Sequence, residues 1–325
     1  MEAPWIQAYG DNIPATIDPD RYPHYVAMLD EACAAFSEHV AFRNFDAPLT
    51  YADTDRLSRD FAAWLQQDAG ITKGDRVAVM MPNMPAFAVA MFGILRAGGV
   101  QVNVNPLYTP RELQHQLSDA DVETIVVYSG STPALAEIIA DTPVTRVIVT
   151  ELSDMMAHGL PSPPPDSRLT DALRFSDALA AGGKLLFEPV ALSGNDLMFL
   201  QYTGGTTGLS KGAMLTHRNI VANILQYEAM ARDVLRKGDD IVMTAIPMYH
   251  IFALTVNTLA HFYFGAENIL ITDPKDMSAF AEEWCKRPVT VFTAVNTLFN
   301  GLNNTPRFAD ADFSQLRICV GGGAP

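Results

Sequence analysis

The sequence is short of basic residues: 22 Lys and Arg stand against 37 Asp and Glu over 325 residues, a formal net charge of −15. Phosphate backbones attract Lys/Arg-rich surfaces, so this balance argues against a nucleic-acid partner. Cysteine is scarce too. Cys33, Cys285 and Cys319 are odd in number, far apart and in no metal-ligand spacing, which predicts a reduced compartment with neither a disulfide framework nor a zinc site. The amino terminus, MEAPWIQAYGDNIP, has no basic segment followed by an apolar one, so no secretory leader is expected. The most apolar run, Met84 to Ala97, carries Arg96 and falls short of the roughly 20 residues that span a bilayer. It reads as a buried helix closed by Gly98 and Gly99. A cytoplasmic protein is expected, with peripheral contact at the inner face of a membrane left open, as is a homodimer. There is no short-period repeat or heptad, no G-x-G-x-x-G opening a helix after the first strand, which disfavours an NAD-dependent oxidoreductase, and no G-x-S-x-G elbow for a protein nucleophile.

What is present suffices for a sizeable core: 49% of residues are hydrophobic and 18% charged, and the length fits one large or two ordinary domains. From Tyr51 onward short β-branched runs alternate with helical stretches: Arg76–Met80, the apolar helix, Val100–Val104, a helix over Pro110–Asp119, Thr124–Tyr128 and Arg146–Thr150. That alternation means βαβ units around a parallel sheet. Gly159–Arg168 (GLPSPPPDSR) is Pro-rich and aperiodic, an extended surface loop. A second series follows, with strands at Leu197–Tyr202, Gly212–Leu215, Asp240–Ala245, Ile269–Thr272, Val289–Thr293 and Leu316–Val320, and a helix from Asn219 to about Leu235 with Thr216 as its cap. The expected organisation is α/β: a lead-in segment over 1–50, a first αβ subdomain over 51–190 and a second over 191–325.

The sharpest motif is Tyr202–Gly212, YTGGTTGLSKG, directly after an apolar strand. Glycines let backbone approach phosphate oxygens, threonines add hydroxyl donors, and lysine supplies charge, the parts of a nucleotide triphosphate cradle. Walker A spacing fails, because Lys211 follows Ser210 and precedes Gly212. A flexible Gly/Thr loop with a solvated lysine would have the same composition.

Here the sequence resembles the adenylate-forming superfamily, whose signature loop reads close to YTGGTTGxxKGAMLTH; most members carry proline where Ser210 stands. Further segments are similar to long-chain fatty acyl-CoA synthetases: GDRVAVMMPN from Gly74, AGGVQVNVNPLYTPRELQHQL from Ala97, PMYHIFALTVNTL from Pro247, AVNTLFNGLNN from Ala294, and VGGGAP over Val320–Pro325. The resemblance implies two αβ subdomains and a small β-barrel, followed by a mobile carboxy-terminal domain. It also implies the activity: a fatty carboxylate attacks the α-phosphate of ATP, pyrophosphate leaves, and the acyl group passes from AMP to CoA. The family's magnesium-binding glutamate, ribose-binding aspartate and adenylation lysine have no counterpart within 1–325. The chain is therefore expected to be an amino-terminal part with little adenylation activity alone.

Carried over by position, Tyr202, Thr203, Gly204, Gly205, Thr206, Thr207, Gly208 and Lys211 would hold the triphosphate, with Thr203 near Mg²⁺ and Lys211 and His250 as catalytic residues. Gly321, Gly322, Gly323, Ala324 and Pro325 resemble the loop beneath adenine. Tyr249, His250 and Phe252 would line the acyl pocket, and Asn296, Thr297 and Phe299 the acyl tunnel. Read from the residues alone, His250 could be a core histidine, the aromatic pair core packing, Asn296 a helix cap and the glycines a disordered tail. Two other functions stay open: an adenylate-forming ligase for a different acid, and a nucleotide-binding module without chemistry.

Overall fold

In chain order the first half of the molecule holds helix α1 (Tyr25–Ala35), strands β1 (Val40–Asn44) and β2 (Ala47–Thr50), α2 (Tyr51–Gln67), β3 (Arg76–Met80), α3 (Pro85–Arg96), β4 (Val100–Val104) and α4 (Pro110–Asp119). Then come β5 (Thr124–Tyr128), α5 (Thr132–Ile138), β6 (Arg146–Thr150), β7 (Leu173–Arg174) and α6 (Phe175–Gly182). The second half holds β8 (Leu197–Thr203), β9 (Lys211–Thr216), α7 (His217–Ala231), β10 (Ile241–Thr244), a π-helical stretch (Ala253–Ala260) and α8 (His261–Tyr263). It continues with β11 (Glu267–Leu270), α9 (Met277–Cys285), β12 (Val291–Ala294), α10 (Asn296–Asn303) and β13 (Ile318–Gly321). This computed structural model describes residues 4–10, 12–155, 159–203 and 210–323.

The strands form two sheets. One has the order β7-β6-β5-β3-β4-β8-β9 and is parallel except for β9; the other has the order β13-β12-β10-β11-β1-β2 and is parallel except for β2. Parallel strands covered on both faces favour continuous apolar runs, as in β5 (TIVVY), whereas β4 (VQVNV), buried at all five residues, carries two amides that must find partners inside. The strands expected from β-branched runs are present, with ends within two residues of those read from the sequence. Helix α7 starts at His217 because Thr216 and Asn219 form a reciprocal capping box, and it ends at Ala231, short of the expected Leu235, where Val234 and Leu235 both donate to the Ala231 carbonyl.

Sheet membership departs from the expected division at residue 190. β8 and β9 belong to the first sheet, where β4 pairs with β8, while β1 and β2, read as part of a lead-in, complete the second beside β11. Parallel pairing joins strands distant in sequence, so periodicity does not reveal it.

Helix α3 explains the apolar run. All of its residues are buried, and it packs on β3 and β4 of one sheet and β1 of the other. Its end is a Schellman turn: Gly98, at φ +80°, donates to Leu95 and Gly99 to Ile94. Arg96, 1% exposed, is held by Asp30 at 2.6 Å, Asp55 at 2.5 Å and the Ser58 hydroxyl at 3.0 Å. A buried ion pair roughly breaks even against its desolvation, whereas each large apolar side chain fully buried contributes about 1.5–3 kcal/mol. Apolar burial between the sheets is therefore the net stabiliser here.

One polar residue joins the two sheets at their carboxyl ends. Asn83, 3% exposed in the turn after β3, donates to the carbonyls of Thr244 (3.1 Å) and Ile246 (3.0 Å), and its Oδ1 accepts from Met248 N–H (2.7 Å). Its own carbonyl accepts from the Thr272 hydroxyl at 2.8 Å. Removing the amide leaves the Ile246 carbonyl and Met248 N–H without their partner, each costing about 1–3 kcal/mol when buried, while the Thr244 carbonyl keeps the Ile271 N–H at 3.0 Å. Asn83→Ala is expected to lose roughly 3 kcal/mol of stability, seen as a lower urea midpoint; an unchanged midpoint would show that water or repacking replaces the clamp.

Candidate active site

The phosphate-loop motif forms the neck of a hairpin at the edge of the first sheet. β8 leaves at Thr203 and β9 returns at Lys211, and these two exposed residues pair across the ladder. Gly204, Gly205, Thr206, Thr207 and Gly208 lie outside the described residues. The neck is well anchored. Tyr202 donates its hydroxyl to Asp119 Oδ2 at 2.6 Å, and burial with that carboxylate raises its pKa. Opposite it, a Cβ on Gly212 would lie 3.0 Å from the Tyr202 ring, so glycine lets the ring cross the hairpin. His115 on α4 donates from Nε2 to the Ser210 carbonyl at 3.0 Å. That contact restrains the position at which the resembled family mostly uses proline.

A cavity of about 340 Å³ opens where the second sheet ends. Its wall includes Tyr249, His250 and Phe252 after β10, Lys275 and Met277 before and at the start of α9, Val295 at the cap of α10, Thr297 and Leu298 on that helix, and Gly322 and Gly323 after β13. All of these follow the carboxyl ends of parallel strands, where open α/β sheets bind ligands. The glycines sit close against the wall: a Cβ on Gly322 would meet Phe252 Cε1 at 3.4 Å, and Gly322 N–H donates to the Ala294 carbonyl at 3.2 Å. Gly323 has φ +75°, which suits glycine and disfavours any other residue.

The structure thus gathers Tyr249, His250, Phe252, Thr297, Gly322 and Gly323 around one space. Gly321 is in β13, behind the wall, 3.4 Å at its Cβ site from the Phe299 ring. Phe299 also packs edge-on to Phe292 at 5.4 Å. Asn296 is exposed and off the cavity wall, and it is not the cap of α10 either: Val295 holds that position, with no side-chain hydrogen bond. Gly321–Gly323 form an ordered strand end rather than a tail; Ala324 and Pro325 lie outside the described residues. No cluster of three or more His, Cys, Asp or Glu side chains suited to a metal occurs among the described residues.

His250 is set for use as a neutral group. Its Nδ1 accepts from Phe252 N–H at 3.3 Å, which leaves Nε2 as the protonated nitrogen. Partial burial lowers its pKa below that of a free imidazole. A chain of buried amides ties its loop to the phosphate strand. Gln101 donates to Asn103, Asn103 donates to Gln201 at 3.0 Å, and Gln201 donates to the Tyr249 carbonyl at 3.0 Å. Sequence reasoning missed Asn83, Gln201, Lys275 and Met277. The signal for the two amides was an uncharged polar residue in an apolar strand or at its end; Lys275 and Met277 had none.

The whole pattern has counterparts among known proteins. Residues 29–325 match the model of the family described as AMP-binding enzyme. A long-chain-fatty-acid–CoA ligase of Escherichia coli O6:H1 is 44% identical over 100% of this chain and 60% of its own length. One of Bacillus subtilis is 32% identical over 99% of this chain and 59% of its own. Among solved structures, apo MbtA of Mycobacterium smegmatis superposes with a TM-score of 0.78 at 28% identity, covering 100% of this chain and 56% of that one. The N-terminal domain of FACL13 from Mycobacterium tuberculosis gives 0.75 at 26%, covering 94% and 71%. The chain spans about 60% of the length of the curated relatives named here.

Because desolvation disfavours the charged imidazole, an NMR titration of the His250 ring should show protonation centred below pH 6.5, with the proton on Nε2 above that midpoint. A midpoint above 6.5 would mean that an unseen anion outweighs burial.

Proposed function

This chain belongs to the AMP-binding enzyme family, and on that footing we propose that the protein activates a long-chain fatty acid as its adenylate and transfers the acyl group to CoA. The observation that carries this reading is the single apolar cavity uniting Tyr249, His250 and Phe252 with Gly322 and Gly323, tied through Gln201 to the strand that leads into the phosphate motif. A long acid needs an apolar slot, a nucleotide needs a phosphate cradle, and the reaction needs both at one place.

In the proposed reaction a fatty carboxylate oxygen forms a bond to the α-phosphorus as the bond to pyrophosphate breaks. The thiolate of CoA then attacks the acyl carbon and releases AMP. Positioning and charge stabilisation carry most of such chemistry. In this reading Lys211 offsets triphosphate charge, and the backbone and hydroxyls of 203–208 cradle it. His250, through Nε2–H, donates to an oxygen of the carboxylate or α-phosphate. Gly322 and Gly323 let the flat base lie against backbone, with Gly321, Ala324 and Pro325 completing that loop. Tyr249, Phe252 and Thr297 wall the acyl chain, and Phe299 supports the wall from behind. Mg²⁺ would arrive with ATP. Within this chain Thr203 would offer it one hydroxyl, and the cation would supply charge against the phosphates. A cytoplasmic location with peripheral contact at the inner membrane face belongs to the same proposal; among the described residues no helix is long and apolar enough to cross a membrane.

The test is fatty-acid-dependent exchange of labelled pyrophosphate into ATP, with acetate, octanoate and palmitate. It is run on this chain joined to the segment that its 44%-identical relatives carry beyond it. Exchange is expected with palmitate, and Lys211→Ala is expected to lower it on the order of 100-fold, as for loss of one transition-state donor. Exchange with another acid and none with palmitate would favour a ligase of different specificity. ATP binding without exchange for any acid would favour a nucleotide-binding module.

A further inference from the structure

The wall of the cavity runs along α10, and its two ends can be told apart. At one end a Cβ on Gly323 would lie 3.9 Å from Val295 Cγ1, so Val295 neighbours the strand end assigned to the base. Six residues on, about 9 Å along a helix at 1.5 Å per residue, Gly301 faces Met277. A Cβ on Gly301 would lie 2.8 Å from Met277 Cε and 3.0 Å from its Sδ. The Met277 thioether therefore occupies the notch left by the missing side chain at 301. Leu298, on the same face of α10, lines the cavity beside it.

We infer that Met277 closes the acyl cavity at the end away from Gly322 and Gly323, and that the notch at Gly301 sets how far it stands back, so the pair fixes the length of acid accepted. The inference rests on the acyl reading proposed above. The backbone of Met277 is fixed, because it is the first residue of α9 and the Asp276 carboxylate caps that helix by accepting from Ala279 N–H at 3.0 Å. Its unbranched side chain is adaptable, so a change at 301 moves the thioether and leaves the helix in place. A methyl group at 301 drives the thioether out of the notch toward the open cavity, which shortens it. Truncation at 277 removes the closing atoms and lengthens it.

The test is calorimetric titration of the full chain with octanoate, laurate, palmitate and arachidate. Each methylene buried should tighten binding about fourfold, from ~0.8 kcal/mol per CH₂, until the cavity is filled and the gain stops. Met277→Ala is expected to extend that limit by about two carbons, so acids beyond the parent limit bind roughly fifteenfold tighter. Gly301→Ala is expected to bring the limit to shorter acids, and Met277→Leu, which conserves volume, to leave it unchanged. A limit unmoved by Met277→Ala, or no binding of any acid, overturns the inference. A shifted limit here, with no pyrophosphate exchange by the chain joined to the segment its relatives carry beyond it, supports the inference while contradicting the ligase reading, so the two failures are distinct.

Discussion

The side-chain amide of Asn83 is the interaction on which the site's geometry depends. It reaches from the turn after β3, in one sheet, to the end of β10 and the turn that follows it, in the other. Apolar burial around α3 holds the sheets together, but burial is non-directional and would tolerate sliding by fractions of an ångström. Hydrogen bonds to Thr244, Ile246 and Met248, from the strand end into the turn, would not. The clamp fixes where Met248 ends and Tyr249 and His250 begin, and the Gln201 bond to the Tyr249 carbonyl fixes the same loop from the phosphate strand. Catalytic geometry that fails at 1 Å of misplacement needs this kind of directional support under it.

Electrostatics favour the same arrangement. The substrates proposed here are all anions, and the chain carries a net charge of −15, so long-range attraction cannot gather them. Affinity must come from local donors and apolar burial. Lys211 at the hairpin neck and Lys275 at the cavity are the cations that the proposed function would use for this. Burial lowers the pKa of His250, so in the proposed reaction it would offer a hydrogen-bond donor without placing a charge against the acyl chain.

Much of this was legible in the sequence because it is local. Strand runs such as Val100–Val104 and Thr124–Tyr128, the Thr216 cap and the Gly98–Gly99 stop are written in a few adjacent residues, and the structure has them there. Sheet membership was not legible, since β1 finds β11 across more than half the chain. For the site, the MYHIFA and VGGG segments pointed to Tyr249, His250, Phe252, Gly322 and Gly323, which do share a cavity. Asn296 fell off the wall because the first residue of a helix can face away from the side its third residue lines. Asn83 and Met277 went unseen because their importance lies in contacts with residues more than 20 positions away.

The central claim is that the acyl cavity and the nucleotide site are one continuous site, and a stable palmitoyl-adenylate mimic with a sulfamate in place of the acyl phosphate probes that most directly. Its dissociation constant should be measured by calorimetry on this chain beside those of AMP and palmitate alone. A single joined site predicts that the mimic binds at least tenfold tighter than either part, since the cost of immobilisation is met only once. A mimic that binds no tighter than AMP would place the acyl chain outside the cavity and contradict the account.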